Sequence, residues 1–143
     1  MIEELVKPST EELEELGAIW LSANIEAHSF LPETYWQDYL ETLKAQLSEA
    51  DVFVYRIQEE IVAFAGLQEN FIAGIFVLSS YRGQGIGKSL LEAIKREYTE
   101  LELNVYSKNT KAVAFYKREN FFVVSENVDQ TTGEWEYRMK WQK

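Results

Sequence analysis

The sequence predicts a mixed α/β (α+β) domain with the element order βααβββαβαββ, and three observations carry the prediction. Apolar residues recur every three or four positions through residues 13–47, the spacing of helices that bury one face. Residues 52–78 hold three short apolar, β-rich runs separated by polar turns, the pattern of neighbouring strands. Residues 71–105 then run strand, glycine-rich turn, helix and strand, a unit that implies a parallel pair joined by a right-handed crossover.

Ile2–Val6 reads as a short opening strand. Ser9 and Glu12 form a capping box, hydroxyl and carboxylate each satisfying an orphan amide at a helix start. Leu13, Leu16, Trp20, Ala23 and Ala27 mark the first helix, and Trp36, Leu40, Leu43 and Leu47 mark a second after Pro32. His28-Ser29-Phe30-Leu31 connects them as a loop or frayed helix end. Val52–Ile57 and Ile61–Leu67 form a hairpin around Gln58-Glu59-Glu60, and the run Phe71–Leu78 ends at a turn, Ser79-Ser80-Tyr81. Ile86, Leu90, Ile94 and Tyr98 trace a helix. Leu101, Leu103 and Val105 alternate with Glu102, Asn104 and Tyr106, the period of a strand. A short helix over Thr110–Glu119 leads to a strand at Phe121–Ser125. In the last strand Trp135, Tyr137, Met139 and Trp141 alternate with Glu134, Glu136, Arg138 and Lys140, a charged face expected to lie exposed and to discourage pairing at a sheet edge.

The 143 residues include 46% hydrophobic and 27% charged residues, an ordinary globular mixture that supports one domain over 1–143. With no cysteine, disulfides and thiolate zinc sites are excluded, and no metal is expected. The apolar runs Ile61–Leu67 and Phe71–Leu78 both fall far short of the roughly 20 residues that cross a bilayer. The start MIEELVKPST has neither a basic segment nor an apolar core of the secretory type, so a cytoplasmic location is expected, with no membrane partner.

Net charge is −10, which argues against nucleic acid. The sum hides an asymmetry. Residues 1–81 hold three basic and fifteen acidic side chains, a net of −12; residues 82–143 hold eleven and nine, a net of +2. One reading is a chance distribution of solvated charge. The other is a second half that receives an anion and a first half that attracts a cation.

Arg82-Gly83-Gln84-Gly85-Ile86-Gly87-Lys88-Ser89 lies between a strand and a helix. Glycines there expose backbone amides at a helix N-terminus, where the dipole favours negative charge, and Arg82 and Lys88 add positive charge at either end. A phosphate or pyrophosphate suits such a turn. A Walker A loop fails by one residue, because its first glycine would stand where Arg82 is. A dinucleotide fingerprint fails as well, since the glycines are spaced 83, 85, 87.

The pattern Arg-x-x-Gly-x-Gly, as Arg82, Gly85 and Gly87, resembles the pyrophosphate loop of the GNAT acetyltransferase superfamily. Asn109-Thr110-Lys111-Ala112-Val113-Ala114-Phe115-Tyr116 is similar to that family's Asn-x-x-Ala-x-x-Phe-Tyr element, in register and about 20 residues later. The likeness is strong over residues 61–126 and extends to the whole chain in element order. One position departs: Asn120-Phe121 stands where the family usually has Gly-Phe, and asparagine also tolerates a left-handed helix end.

The resemblance implies a single GNAT-like domain that moves an acetyl group from acetyl-CoA to a primary amine by direct attack on the thioester. It implies that Arg82, Gly83, Gln84, Gly85, Ile86, Gly87 and Lys88 hold the pyrophosphate, and that Phe76 and Val77 pair their backbones with the pantetheine arm. Backbone N–H groups there would also stabilise the developing oxyanion. Asn109 would cap its helix and reach the cofactor, although a plain N-cap needs no further role. Tyr116 would be the general acid for the departing thiolate; the plainer reading is an aromatic core contact. For the base, His28 is the only histidine, with Glu26 and Glu33 as alternatives acting through water, and a loop histidine without a chemical role is the plainer reading. Trp20, His28, Phe30 and Tyr35, with Trp36, would line the acceptor pocket. The competing function is a non-catalytic CoA-binding or protein-interaction module on the same scaffold. Acceptor identity stays open, and so does the choice between monomer and homodimer.

Overall fold

The computed structural model describes residues 1–143. Seven strands form one sheet: β1 (Ile2–Leu5), β2 (Asp51–Ile57), β3 (Glu60–Gln68), β4 (Phe71–Val77), β5 (Glu100–Tyr106), β6 (Phe122–Val128) and β7 (Trp135–Gln142). Four helices accompany them: α1 (Thr10–Ala27), α2 (Glu33–Leu47), α3 (Ile86–Glu97) and α4 (Thr110–Arg118). The chain order is the expected βααβββαβαββ. The spatial order is β1-β2-β3-β4-β5-β7-β6, antiparallel throughout except for the parallel pair β4–β5 that the strand–helix–strand unit predicts.

Local chemistry accounts for the element ends. Ser9 and Glu12 close the capping box of α1, with the Ser9 hydroxyl accepting from Glu12 N–H at 3.1 Å and the Glu12 carboxylate from Ser9 N–H at 2.8 Å. At the end of α4, Asn120 has φ +71°; its N–H donates to Lys117 O at 3.1 Å and Phe121 N–H donates to Tyr116 O at 2.9 Å. That is a Schellman ending carried by asparagine, and it drops Phe121 into the core. The β2–β3 hairpin turns on Gln58 and Glu59, both at positive φ, the geometry of a type I′ turn.

Two apolar layers sandwich the sheet. Leu16, Ile19, Trp20, Trp36, Leu43 and Leu47 of α1 and α2 pack on Val52, Val54, Ile61 and Phe64. On the opposite face Ile86, Leu90, Leu91 and Ile94 of α3 and Val113 and Tyr116 of α4 pack among Phe53, Val62, Ala65, Leu101 and Leu103. Buried on both faces, β3 reads as a continuous apolar run rather than an alternating one. Full burial of one such Leu, Ile or Phe side chain contributes about 1.5–3 kcal/mol.

The last strand departs from expectation. β7 is inserted between β5 and β6, so the sheet edges are β1 and β6. Its charged face is not a deterrent to edge pairing. Instead it meets neighbouring strands, with Arg138 on Glu102 at 3.2 Å and Lys140 on Glu100 at 3.2 Å.

The feature that creates the site is a divergence. β4 and β5 share only the register Phe71↔Glu102 and Ile72↔Leu103. Beyond it, Ala73–Val77 loses its β5 neighbour while keeping β3 on the other side, to which Phe76 and Val77 still pair through Phe64 and Ala63. The outer main chain of β4 therefore lacks a sheet partner in the middle of the molecule.

Candidate active site

Two cavities open on either side of this divergence. The first, about 710 Å³, is lined by Val77, Arg82, Gly83, Gly85, Lys88 and Arg118 among others. Gly83 and Gly85 sit at φ +76° and +78°, a region costly for any residue with a Cβ. Gly85 is the N-cap of α3 and brings no side-chain cap, and the first intrahelical bond runs from Ser89 N–H to Gly85 O at 3.0 Å. The N–H groups of Ile86, Gly87 and Lys88 thus lack helical acceptors and stand at the positive end of the helix dipole. Arg82, Lys88 and Arg118 surround them, so the groove presents three cations and a cluster of free amides, with Glu119 as its one acid. Arg82 donates from Nε to Val77 O at 3.3 Å and pairs through Nη1 with Glu26 at 3.1 Å. Gln84 is exposed and does not line the groove. These residues suit a diphosphate whose extended, amide-bearing arm continues along the open side of β4.

The second cavity, about 460 Å³, lies between α1–α2 and the diverging ends of β4 and β5. Trp20, His28 and Tyr35 line it as expected, together with Trp36, and so do Phe76, Asn109 and Tyr116. Phe30 is not a wall; its ring packs on His28 and Tyr106, both at 5.6 Å between centroids. Neighbouring residues join the two cavities: Val77 and Phe115 face the first, Phe76 and Tyr116 the second. Gly74 lies under the Phe76 ring, which a Cβ at that position would have to displace.

Tyr116 is 6% exposed, held between Phe115 and Phe121. Burial pushes its phenol well above the ordinary range, with the Ile75 backbone opposing, so the hydroxyl keeps its proton at neutral pH.

His28 is 8% exposed, and both ring nitrogens are engaged. Nδ1 lies 3.1 Å from Asn24 O, and Nε2 lies 3.2 Å from Asn109 Nδ2. A carbonyl only accepts, which puts the proton on Nδ1; Nε2 then accepts from the Asn109 amide. Asn109 Oδ1 in turn accepts from Ala112 N–H at 3.3 Å and caps α4. The ring stacks on Trp36 at 5.0 Å and meets Tyr106 edge-on at 5.3 Å. Burial lowers the imidazole below its ordinary value, partly offset by the bond to Asn24. Its lone pair is thus committed to Asn109. The other base candidates stand away from the cavity: Glu26 is paired with Arg82, and Glu33 is not among the lining residues.

Three residues in this cavity carry chemistry that the sequence did not reveal: Tyr106, Asp129 and Glu136. Tyr106 donates to Asp129 Oδ2 at 2.7 Å. Neither acid belongs to the acidic first half of the chain, and no acidic side chain from residues 1–81 lines the cavity. First-half glutamates instead serve ion pairs elsewhere, Glu14 and Glu41 with Lys44, Glu3 and Glu12 with Arg56. The carboxylates that line the cavity thus come from the β6–β7 turn and β7 rather than from the acidic first half.

The sheet thus opens beside a helix start rich in free amides and cations, with a largely apolar cavity on its far side. Residues 13–121 match the sequence model of the acetyltransferase (GNAT) family, and the chain belongs to that family of acyltransferases. It is 38% identical over 114 residues, 79% of each chain, to the peptidyl-lysine N-acetyltransferase YjaB of Salmonella typhimurium. It is 30% identical over 115 residues, again 79% of each, to the peptidyl-lysine N-acetyltransferase YiaC of Escherichia coli. The solution structure of apo YjaB from Escherichia coli superposes with a TM-score of 0.83 at 29% identity, covering 98% of this chain and 97% of that one. The PaiA N-acetyltransferase of Thermoplasma acidophilum, solved in complex with coenzyme A, shares the fold at a TM-score of 0.74 and 19% identity, covering 100% and 99%. No helix is long and apolar enough to cross a membrane.

Proposed function

We propose that the chain is an acetyl-CoA-dependent N-acetyltransferase acting on the ε-amine of lysine in peptides or proteins, with Tyr116 as the general acid. The observation that carries this reading is the unpartnered side of β4 between the two cavities, with Tyr116 in the wall of the second. Acetyl-CoA supplies the thioester that the amine attacks. Arg82, Lys88, Arg118 and the amides of residues 83–88 would hold its diphosphate, and the main chain of Phe76 and Val77 would bond its amide arm. Tyr116, kept protonated by burial, would give its proton to the sulfur as the carbon–sulfur bond breaks. His28 would act as a strut, tying the end of α1 through Asn109 to the helix that carries Tyr116. The lysine acceptor is supported by the relatives named above and by a cavity walled by Trp20, Tyr35, Trp36 and Tyr39 that suits an apolar stem.

The test is thiol release from acetyl-CoA with a panel of lysine peptides, polyamines and amino sugars, for the wild type and Tyr116→Phe. Lysine peptides should be the preferred acceptors. The variant should lose about 10²-fold or more in kcat while its affinity for CoA is unchanged. Equal kcat in the two proteins would remove Tyr116 from the mechanism. CoA binding without acetyl transfer to any amine would favour the non-catalytic module.

A further inference from the structure

We propose that Glu136 receives the acceptor's ammonium group and takes its proton, with Asp129 as a fixed negative charge beside it. The proposal rests on the acetyl-transfer reading and supplies the base which that reading leaves unassigned.

β7 and the residue just before it present four charged side chains on one alternation. Glu134 pairs with Lys108 at 3.0 Å, Arg138 with Glu102 at 3.2 Å and Lys140 with Glu100 at 3.2 Å. Glu136 alone has neither an ion-pair nor a hydrogen-bond partner for its carboxylate, and it is the one of the four that lines the acceptor cavity. A half-buried carboxylate left unpaired beside another acid is unfavourable for folding and favourable for a cation.

Asp129 is placed differently. Its Oδ2 accepts from the Tyr106 hydroxyl at 2.7 Å and its Oδ1 from Thr131 N–H at 2.9 Å. Those two donors occupy one lone pair on each of its oxygens. The other groups facing Glu136 are Tyr106, across the ladder on β5; Asn127, opposite on β6; Tyr35 from α2; and Arg138, whose guanidinium is turned to Glu102 and the Phe71 ring. Burial first and the Asp129 charge second raise Glu136 above the usual carboxylate range, with Arg138 opposing. An acid moved toward neutrality is a better base at physiological pH than an exposed glutamate.

The walls complete the recognition. Trp20, Tyr35, Trp36 and Tyr39 enclose an apolar path. A primary ammonium on an apolar stem suits such a path, and the lysine side chain of a peptide is such a group.

The protons balance. Glu136 takes one proton from the ammonium and passes it to solvent. The free amine forms the nitrogen–carbon bond to the thioester carbon as the carbon–sulfur bond breaks. Tyr116 gives its proton to the sulfur and regains one from the new amide nitrogen, so one proton is released per turnover.

The experiment compares wild type, Glu136→Gln, Glu136→Asp and Asp129→Asn with acetyl-CoA and a lysine-containing peptide, reading kcat/KM for the peptide against pH. Wild type should show a rising acid limb set above the ordinary carboxylate range. Glu136→Gln should lose about 10²-fold in kcat/KM together with that limb, at unchanged CoA affinity. Glu136→Asp should restore part of the rate. Asp129→Asn removes the neighbouring like charge, so the limb should move to lower pH, a displacement that a purely structural role would not produce. If Glu136→Gln keeps both rate and limb, or if Asp129→Asn leaves the limb in place, the assignment of Glu136 fails while the acetyl-transfer reading stands. If wild type transfers acetyl to no amine, the acetyl-transfer reading itself fails.

Discussion

His28 shows how a single hydrogen-bond assignment redirects a functional reading. As the sole histidine, between the two helices that shape the acceptor side, it is an obvious base. The carbonyl of Asn24 at 3.1 Å fixes its proton on Nδ1, and Asn109 occupies the remaining lone pair. Because burial lowers its folded-state pKa, the unfolded chain takes up a proton near the ordinary value of about 6.5 while the native state does not. The contribution of this neutral ring is therefore full above that value and is lost as pH falls toward the lower folded one. Replacing His28 with Gln, which keeps a donor and an acceptor, should flatten the loss of stability between pH 7.5 and 5.5. Urea unfolding at those two pH values measures it, and an identical loss in both proteins would contradict the buried neutral tautomer. Glu136 escaped the sequence reading for a related reason. In a run that alternates charged and apolar residues it is indistinguishable from Glu134, and only the location of Lys108 separates the paired acid from the free one.

Elements built from local signals were legible; those built from distant register were not. The capping box at Ser9, the glycine turn before α3 and the Asn120 ending of α4 are each decided within a few residues, and each stands where the sequence places it. The insertion of β7 between β5 and β6 depends on pairings such as Tyr106↔Glu136 and Val105↔Tyr137, some 30 residues apart, for which no neighbouring residue is a sign. The same insertion brings the β6–β7 turn, and with it Asp129, over the acceptor cavity. The β2–β3 hairpin carries a prediction of its own. Glu59 holds φ +71° with a side chain that disfavours it, and the bond from Arg56 Nη1 to Glu59 O at 3.0 Å involves only the backbone of Glu59. Glu59→Gly should relieve about 1 kcal/mol of this cost, raising Tm by about 2–4 °C in a thermal melt without altering acetyl transfer. No change in Tm would mean that the turn is not strained.

For the molecule as a whole, charge acts at two ranges. The cations Arg82, Lys88 and Arg118 act at contact distance in the groove, whereas the net charge of −10 is felt by an anion still approaching. Salt screens the second more than the first, since the Debye length falls to about 8 Å at physiological ionic strength. Association of CoA, followed by stopped flow, should accelerate a few-fold between ~10 mM and ~150 mM salt. A monotonic slowing would mean that the local cations already dominate the approach.

The divergence of β4 from β5 has a mechanical side. Because the parallel pair holds only two register positions, Phe71↔Glu102 and Ile72↔Leu103, the sheet consists of two half-sheets, β1–β4 and β5–β7–β6, joined at one end like leaves at a spine. A ligand whose amides bonded the free side of β4, as proposed above, would supply rungs that the chain itself omits. Under the proposed binding mode the seam would be braced while the cofactor is bound and released when it leaves.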